Sequence, residues 1–499
     1  MTTHGKIPSL VASVLLVGLA TLPVHAAPRV QCPSGYQILT QSGHGFDSQQ
    51  PENSTDTNCR NPQDPNFYSI CKVDLDPVTG QASGRTIRVA QRLLFNPVRL
   101  EWVEIGGTSN VICRSIACGD GYVKMADGTD MFIFGFSDVT GVPAQNIMTR
   151  ANPPAVDDPT LFPLGSANFS APTFFTQEGQ EFYLTLTNTG FRLRPDLFDP
   201  HTVHYHGFPN AASVFDGEPM ASLSIGLGES LTYYYNNQNP GTYMWHCHVE
   251  AAEHMQMGML GNLYINPAQD RACQAPNHPS YCNNPRTGQP WKGFAYNDGD
   301  GSTGYDTLMF LQETAFDPAF HHADETYQKL PFADMNDVYS MFNGRNYPQT
   351  VDPEPIINMN GTPAQPIPAI AMTTVAGVRT PAAIRAGDRV LLRLSSLSTV
   401  EFYTVSLPGI PMRIVGQGAK QLKGPTGINT AYNTNTVTLG GGEGVDILLD
   451  TTNVVPGTYF LYTTNVNRLS NDAEDYGGMM TEIVVCPPGT AACPPPVSR

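Results

Sequence analysis

Two stretches of this chain pass through the same series of segments in the same order. EGQEFYLTLTN (178–188) answers to AGDRVLLRLSS (386–396), and PHTVHYHG (200–207) to FYTVSLPG (402–409). GLGES (226–230) answers to GGGEG (440–444), and PGTYMWHCH (240–248) to PGTYFLYTT (456–464). Each copy then reaches Gly-Met, at 258–259 and 478–479, eight residues before a proline counted from the methionine. The segments alternate apolar and polar residues between Gly- and Pro-rich turns, the pattern of half-buried strands. An internal repeat of this kind restricts the chain to one β domain used twice. The copies span roughly 121–267 and 301–486.

Composition agrees. The chain carries 43 prolines and 46 glycines, and 14% of its 499 residues are charged. Long amphipathic helical patterns are scarce, so an all-β chain with many turns is expected. Residues 27–120 form an N-terminal region with five cysteines, residues 268–300 a linker, and 487–499 a tail. At the N-terminus Lys6 precedes an apolar stretch from Ile7 to Val24 and a small-residue pattern at Val24-His25-Ala26. This reads as a signal peptide over residues 1–26, giving an exported protein, periplasmic or extracellular. No other apolar run is long enough to span a bilayer. A formal charge of −17 disfavours nucleic acid as a partner.

Ten cysteines in an exported chain point to disulfides. Proximity suggests Cys113–Cys118, Cys273–Cys282, Cys486–Cys493 and Cys59–Cys71, which leaves Cys32 and Cys247.

The two copies differ where chemistry is concentrated. Of twelve histidines, two lie in residues 1–26, and six of the other ten fall in HTVHYH and HCHVEAAEH. In the second copy His201, His204 and His206 become Tyr403, Ser406 and Pro408. His246, Cys247 and His248 become Tyr462, Thr463 and Thr464. The β framework therefore does not require these residues, and their clustering is chemical.

Side chains alternate faces along a strand. Cys247 shares a face with Tyr243 and Trp245, while His246 and His248 take the other. His204 and His206 share one face, and His201 takes the opposite one. Two groups result. An inward group comprises Cys247 and His201, completed by His254 and Met259 from Cys247-x6-His254-x4-Met259. Met255 and Met257 are alternative sulfur donors. Two imidazoles, a thiolate and a weak axial thioether make the ligand set of a blue (type 1) copper site. Zinc, the rival for a Cys/His set, does not explain the thioether or a second group of histidines. The outward group, His204, His206, His246 and His248, offers all-imidazole coordination for further copper. It neighbours Cys247 in sequence, which gives an electron a short route between the groups.

HTVHYHG and HCHVEAAEHMQMGM resemble the H-x-x-H-x-H-G and H-C-H…H…M motifs of the multicopper oxidases, within the cupredoxin superfamily. The resemblance extends over both repeats and implies tandem Greek-key cupredoxin domains. It implies His201, Cys247, His254 and Met259 at type 1 copper, His204 at type 2, and His206, His246 and His248 at the type 3 pair. It makes Asp216, in FDGEPM, a candidate proton relay; an Asp-Gly turn is the plainer reading. The implied activity is oxidation of an external donor, a phenol or reduced metal ion, with O2 as acceptor. The family's trinuclear cluster uses eight histidines from two facing domains, and this chain offers four. His44, His278, His321 and His322 lie outside the motifs and read as surface residues, with His321 and His322 able to lean toward a neighbouring subunit. Three readings follow: an oxidase whose cluster forms between chains of a homo-oligomer, a copper nitrite reductase-like enzyme, or a non-catalytic cupredoxin for electron transfer or copper binding.

Overall fold

The structure, a computed structural model, describes residues 111–139, 167–209, 211–352 and 384–487. It adds strands at 45–46, 69–75, 82–90, 356–357, 363–365, 372–375 and 378–381. The signal at 1–26, His44, Cys32, Cys59 and Cys493 lie outside the described residues.

Three strands, β1 (Gly45–Phe46), β2 (Ser69–Leu75) and β3 (Ala82–Ala90), form an antiparallel sheet. The first repeat is a sandwich of two four-stranded sheets. One contains β4 (Val111–Lys124), β5 (Asp130–Asp138), β7 (Gln180–Asn188) and β9 (Ser230–Asn237), ordered β5-β4-β7-β9. The other contains β6 (Phe174–Gln177), β8 (His204–His206), β10 (Gly241–His246) and β11 (Leu260–Asn266), ordered β6-β11-β10-β8. β4 begins at Val111, inside the segment read as the N-terminal region.

Alternation builds the core. On β7, Phe182, Leu184 and Leu186 point inward, and Tyr233 and Tyr235 do so on β9. Across from them Tyr243, Trp245 and Cys247 enter the same cluster. The Trp245 indole stacks on Phe174 and tilts against Phe136. The opposite face of β10 does not meet water. Met244 packs with Leu397 and Phe316. The Thr242 hydroxyl donates to Asp446, which also accepts from Arg393 and Tyr296. The back of β10 is thus an interface with the second repeat.

That repeat keeps the same core strand pairings within larger sheets of seven and five strands. Strand 307–316 runs parallel to 389–396, as β4 does to β7. Ile384–Arg385 runs parallel to Met480–Cys486, as β6 does to β11. Ser406 pairs with Tyr462 where His204 pairs with His246. The correspondence reaches single hydrogen bonds. The Cys247 N–H donates to the Met259 carbonyl at 3.0 Å, and the Thr463 N–H donates to the Met479 carbonyl at 3.0 Å. The fold is therefore all-β, with tandem cupredoxin-like sandwiches.

Between them α2 (Ala268–Cys273) opens a connection stapled by Cys273–Cys282, whose Cα atoms are 5.3 Å apart. This is the expected pair. The pairing of Cys113 with Cys118 is not made. Cys118 carries a buried free thiol, while Cys113 is disulfide-bonded to another cysteine; Cys486 is also disulfide-bonded. Both Cys113 and Cys118 lie on β4. Five residues of extended chain span about 17 Å, far beyond the roughly 4.4–6.8 Å between disulfide Cα atoms. Cys247 is free and buried. Among the described residues no helix is long and apolar enough to cross a membrane.

Candidate metal centres

The loop leading into His201 is pinned before it reaches the site. The Asp120 carboxylate accepts the N–H groups of Arg192, Leu193 and Arg194 at 2.8, 2.6 and 3.0 Å. His201 then exchanges backbone hydrogen bonds with Ile225. Cys247 follows β10 directly. His254 stands on α1 (Ala251–Gln256), which begins after Glu250 at φ +46°. The Met259 N–H donates to the His254 carbonyl at 2.9 Å, so Met259 is tied through its backbone to both Cys247 and His254.

These elements bring the inward group together. Cys247 Sγ lies 3.2 Å from His254 Nδ1 and 3.8 Å from His201 Nδ1. The two imidazole centroids are 5.0 Å apart. The ligand atoms of all three residues lie within 4.8 Å of one another. Met257 and Met259 are fully buried in the same cluster as Cys247, whereas Met255 packs in the neighbouring cluster around Phe316. Burial pulls His254 down to about 4 and His201 well below its ordinary value, so both are neutral bases at pH 7. Burial pushes the Cys247 thiol up to about 11. Without a cation it stays protonated, and a metal must displace that proton. The Thr202 N–H points at the sulfur from 3.4 Å.

The outward group assembles one residue away. Ligand nitrogens of His204, His206 and His246 lie within 4.8 Å of one another. The His248 ring is 4.9 Å from that of His204 and 5.6 Å from that of His246. His204 Nδ1–H donates to the Asp216 carbonyl and His246 Nδ1–H to the Cys247 carbonyl, each at 2.7 Å. These bonds fix the tautomers and leave both Nε2 lone pairs available. Burial lowers His246 to about 3; burial and the neighbouring histidines lower His206. The groups share Thr202, whose hydroxyl accepts the His248 N–H at 3.1 Å.

The second repeat supplies a wall here. A Cβ on Gly442 would lie 2.5 Å from His206 Nε2. Asp216 sits in its Asp-Gly turn, with Gly217 at φ +76° against the Val203 carbonyl. Its carboxylate is also 3.5 Å from His204 Nδ1. His321 is not a surface residue. It is buried, its ring packs on Phe316, and its Nδ1–H donates to the Phe132 carbonyl. Of the pair only His322 is exposed.

Sequence reasoning missed a third group. Ligand atoms of Asp199, Glu253 and His254 lie within 4.8 Å. Burial, with Glu250 nearby, lifts Asp199 to about 6. Burial, then Asp324, Glu250 and Asp199, lift Glu253 to about 8. The signal was present: in FDPH and AAEH a carboxylate sits close before a ligand-type histidine in each motif.

Models of the multicopper oxidase family match residues 164–270 and 330–484, together more than half of the chain. The chain belongs to the multicopper oxidase family. It is accordingly a copper-dependent oxidoreductase, coupling oxidation of a donor to reduction of O2. A blue copper oxidase from Nitrosomonas europaea superposes with a TM-score of 0.51 at 18% identity, covering 75% of this chain and 86% of that one. The multicopper oxidase mgLAC does so with a TM-score of 0.50 at 18% identity, covering the same shares. No curated protein matches the sequence.

Proposed function

We propose that His201, Cys247, His254 and Met259 hold the type 1 copper of this oxidase and that His204, His206, His246 and His248 hold the copper at which O2 is reduced. The observation that carries this reading is the 3.2 Å and 3.8 Å approach of two neutral imidazoles to one buried, unpaired thiol. That donor set suits copper in both oxidation states, sulfur favouring Cu(I) and imidazole Cu(II). Bound copper supplies one-electron redox chemistry that neither imidazole nor thiol has alone.

The chain's own residues do the rest. His254 and His201 present fixed nitrogens, and the buried surround keeps water from the sulfur. Thr202 and the Cys247 carbonyl join the two groups through hydrogen bonds and one peptide step. The Asp216 carbonyl orients His204, and its half-buried carboxylate is placed to move protons toward the outward group.

Four histidines in one chain are half the family's complement, and no further described histidine lies beside them. The outward group is therefore completed by a second chain of a homo-oligomer. The exposed Val214, Met220 and Leu223, on the segment that carries Asp216, support such a contact. Residues 1–26 support export.

Metal analysis with absorption and EPR spectra tests the assignment. Type 1 signal with additional copper, in an oligomer that reduces O2 to water, is expected. One copper per chain with only a type 1 signal would leave a non-catalytic cupredoxin. Type 2 signal without coupled copper, together with nitrite turnover, would favour a nitrite reductase. A monomer that reduces O2 to water would contradict completion between chains.

A further inference from the structure

The helix that carries His254 is only six residues long, and its N-cap residue Glu250 makes no side-chain cap. A helix of that length does not hold itself in water. Its position is set from outside. On one side the Phe134 N–H of β5 donates to the Met257 carbonyl at 2.9 Å. The turn that follows is seated closely: a Cβ on Gly258, at φ +113°, would meet the Phe134 carbonyl oxygen at 2.8 Å and the Phe316 ring of the second repeat at 3.5 Å. Gln256 ties the helix to that repeat. It is fully buried, and both ends of its amide are used. Nε2–H donates to the Asp337 carboxylate at 3.1 Å, and Oε1 accepts the Thr399 hydroxyl at 2.7 Å. Asp337 is itself fully buried, and its other carboxylate oxygen has no hydrogen-bond partner among the described residues. The segment that carries Thr399 is pinned in turn. The Leu397 N–H donates to the Glu313 carbonyl at 3.0 Å, and the Ser396 carbonyl accepts the Gly442 N–H at 2.8 Å.

We propose that Gln256 is a positioning residue of the inward copper site, through which Asp337 and Thr399 of the second repeat hold His254 and Met259 in place. The inference rests on the assignment of those two residues to type 1 copper. Gln256 stands two residues after His254 and three before Met259, so whatever fixes its amide fixes the turn that joins them. The amide cannot swing away without breaking two hydrogen bonds and leaving the Asp337 carboxylate buried and unpaired. That loss is larger than the net worth of either bond alone. The helix therefore has one seat, and the backbone bonds of Met259 to Cys247 and His254 carry that fixity into the donor set. Fixed donors matter here because one arrangement has to serve copper in both oxidation states. The repeat that lacks the motif histidines thereby braces the inward site, as its Gly442 walls the outward one, and one pinned segment, from Ser396 to Thr399, serves both.

The test compares the copper-loaded wild type with Gln256→Met, Thr399→Val and Thr399→Ser. Blue absorption and type 1 EPR are followed in competition with EDTA, and thermal unfolding is measured alongside. Gln256→Met keeps the side-chain volume and removes both bonds. It is expected to hold copper at the inward site at least about tenfold more weakly and to broaden the type 1 EPR signal, with copper at the outward group retained. Thr399→Val removes one bond and leaves Asp337 paired, so it should weaken inward copper about threefold. Thr399→Ser keeps the hydroxyl and should restore the wild-type affinity and line shape. Gln256→Met strands the Asp337 carboxylate, so the two Thr399 variants carry the test if it does not fold. Variants that unfold at lower temperature yet keep the wild-type EPR line shape and copper affinity would overturn the positioning role and leave Gln256 a structural one. Absence of blue absorption in the copper-loaded wild type would instead overturn the assignment of His254 beneath it.

Discussion

Gly442, in the repeat that lacks the motif histidines, stands directly before the Nε2 of His206 in the repeat that has them. At φ +90° it has the backbone of a residue without a side chain, and a Cβ added there would meet that nitrogen at 2.5 Å. The ligand-free repeat therefore shapes the outward site by leaving a space in it. Gly442→Ala should displace His206 and weaken copper at the outward group by roughly tenfold or more, the scale of outer-sphere changes at metal sites. Blue absorption should persist, because the Cys247 group lies on the other face of β10. Copper content and EPR intensity check this, and unchanged outward copper would show that Gly442 only closes a turn.

Met259 supports the inward group twice, through a backbone tied to Cys247 and His254 and through a buried side chain in the same cluster. Met259→Leu conserves volume, so its stability cost should stay below about 1.5 kcal/mol. Loss of the thioether removes a weak donor to Cu(II), and the reduction potential should rise while the blue absorption remains. Redox titration of the blue band measures the shift. Met257→Leu is the control and should leave the potential in place.

The division of the histidines into two groups was legible because strand periodicity is exact to one residue: a cysteine between two histidines must part from both. The second repeat made the framework legible too, down to the equivalence of Cys247 with Thr463. What local pattern does not carry is contact across long separations. Nothing in GGGEG announces that Gly442 abuts His206, since that depends on how β10 packs against the second repeat. The Cys113–Cys118 pairing failed for a related reason, because proximity along the chain becomes distance once both residues join one extended strand. Asp199 and Glu253 were visible beside their histidines, but their convergence on one nitrogen requires the Asp120-pinned loop and α1 to meet.

His321 gives the acid side of the stability curve a specific cause. Burial lowers it to about 4, against about 6.5 when unfolded. Between those values the unfolded chain binds a proton that the folded chain refuses, so stability falls as pH drops from 6.5 toward 4. The shift corresponds to at most about 3 kcal/mol. His321→Asn can still donate to the Phe132 carbonyl and cannot titrate. Denaturant unfolding at pH 7 and pH 4.5 should show a smaller loss in the variant than in the wild type, and an equal loss would assign the acid sensitivity to other groups.

Cys247 is proposed as the thiolate ligand of a type 1 copper. Absorption and EPR spectra of the copper-loaded wild type and the Cys247→Ser variant test it most directly. The wild type should be blue with a type 1 signal, and the variant should lose both while retaining copper at His204, His206, His246 and His248. Blue absorption that survives in the variant, or a wild-type inward site that takes up zinc and never shows a type 1 signal, would rule out that role for Cys247.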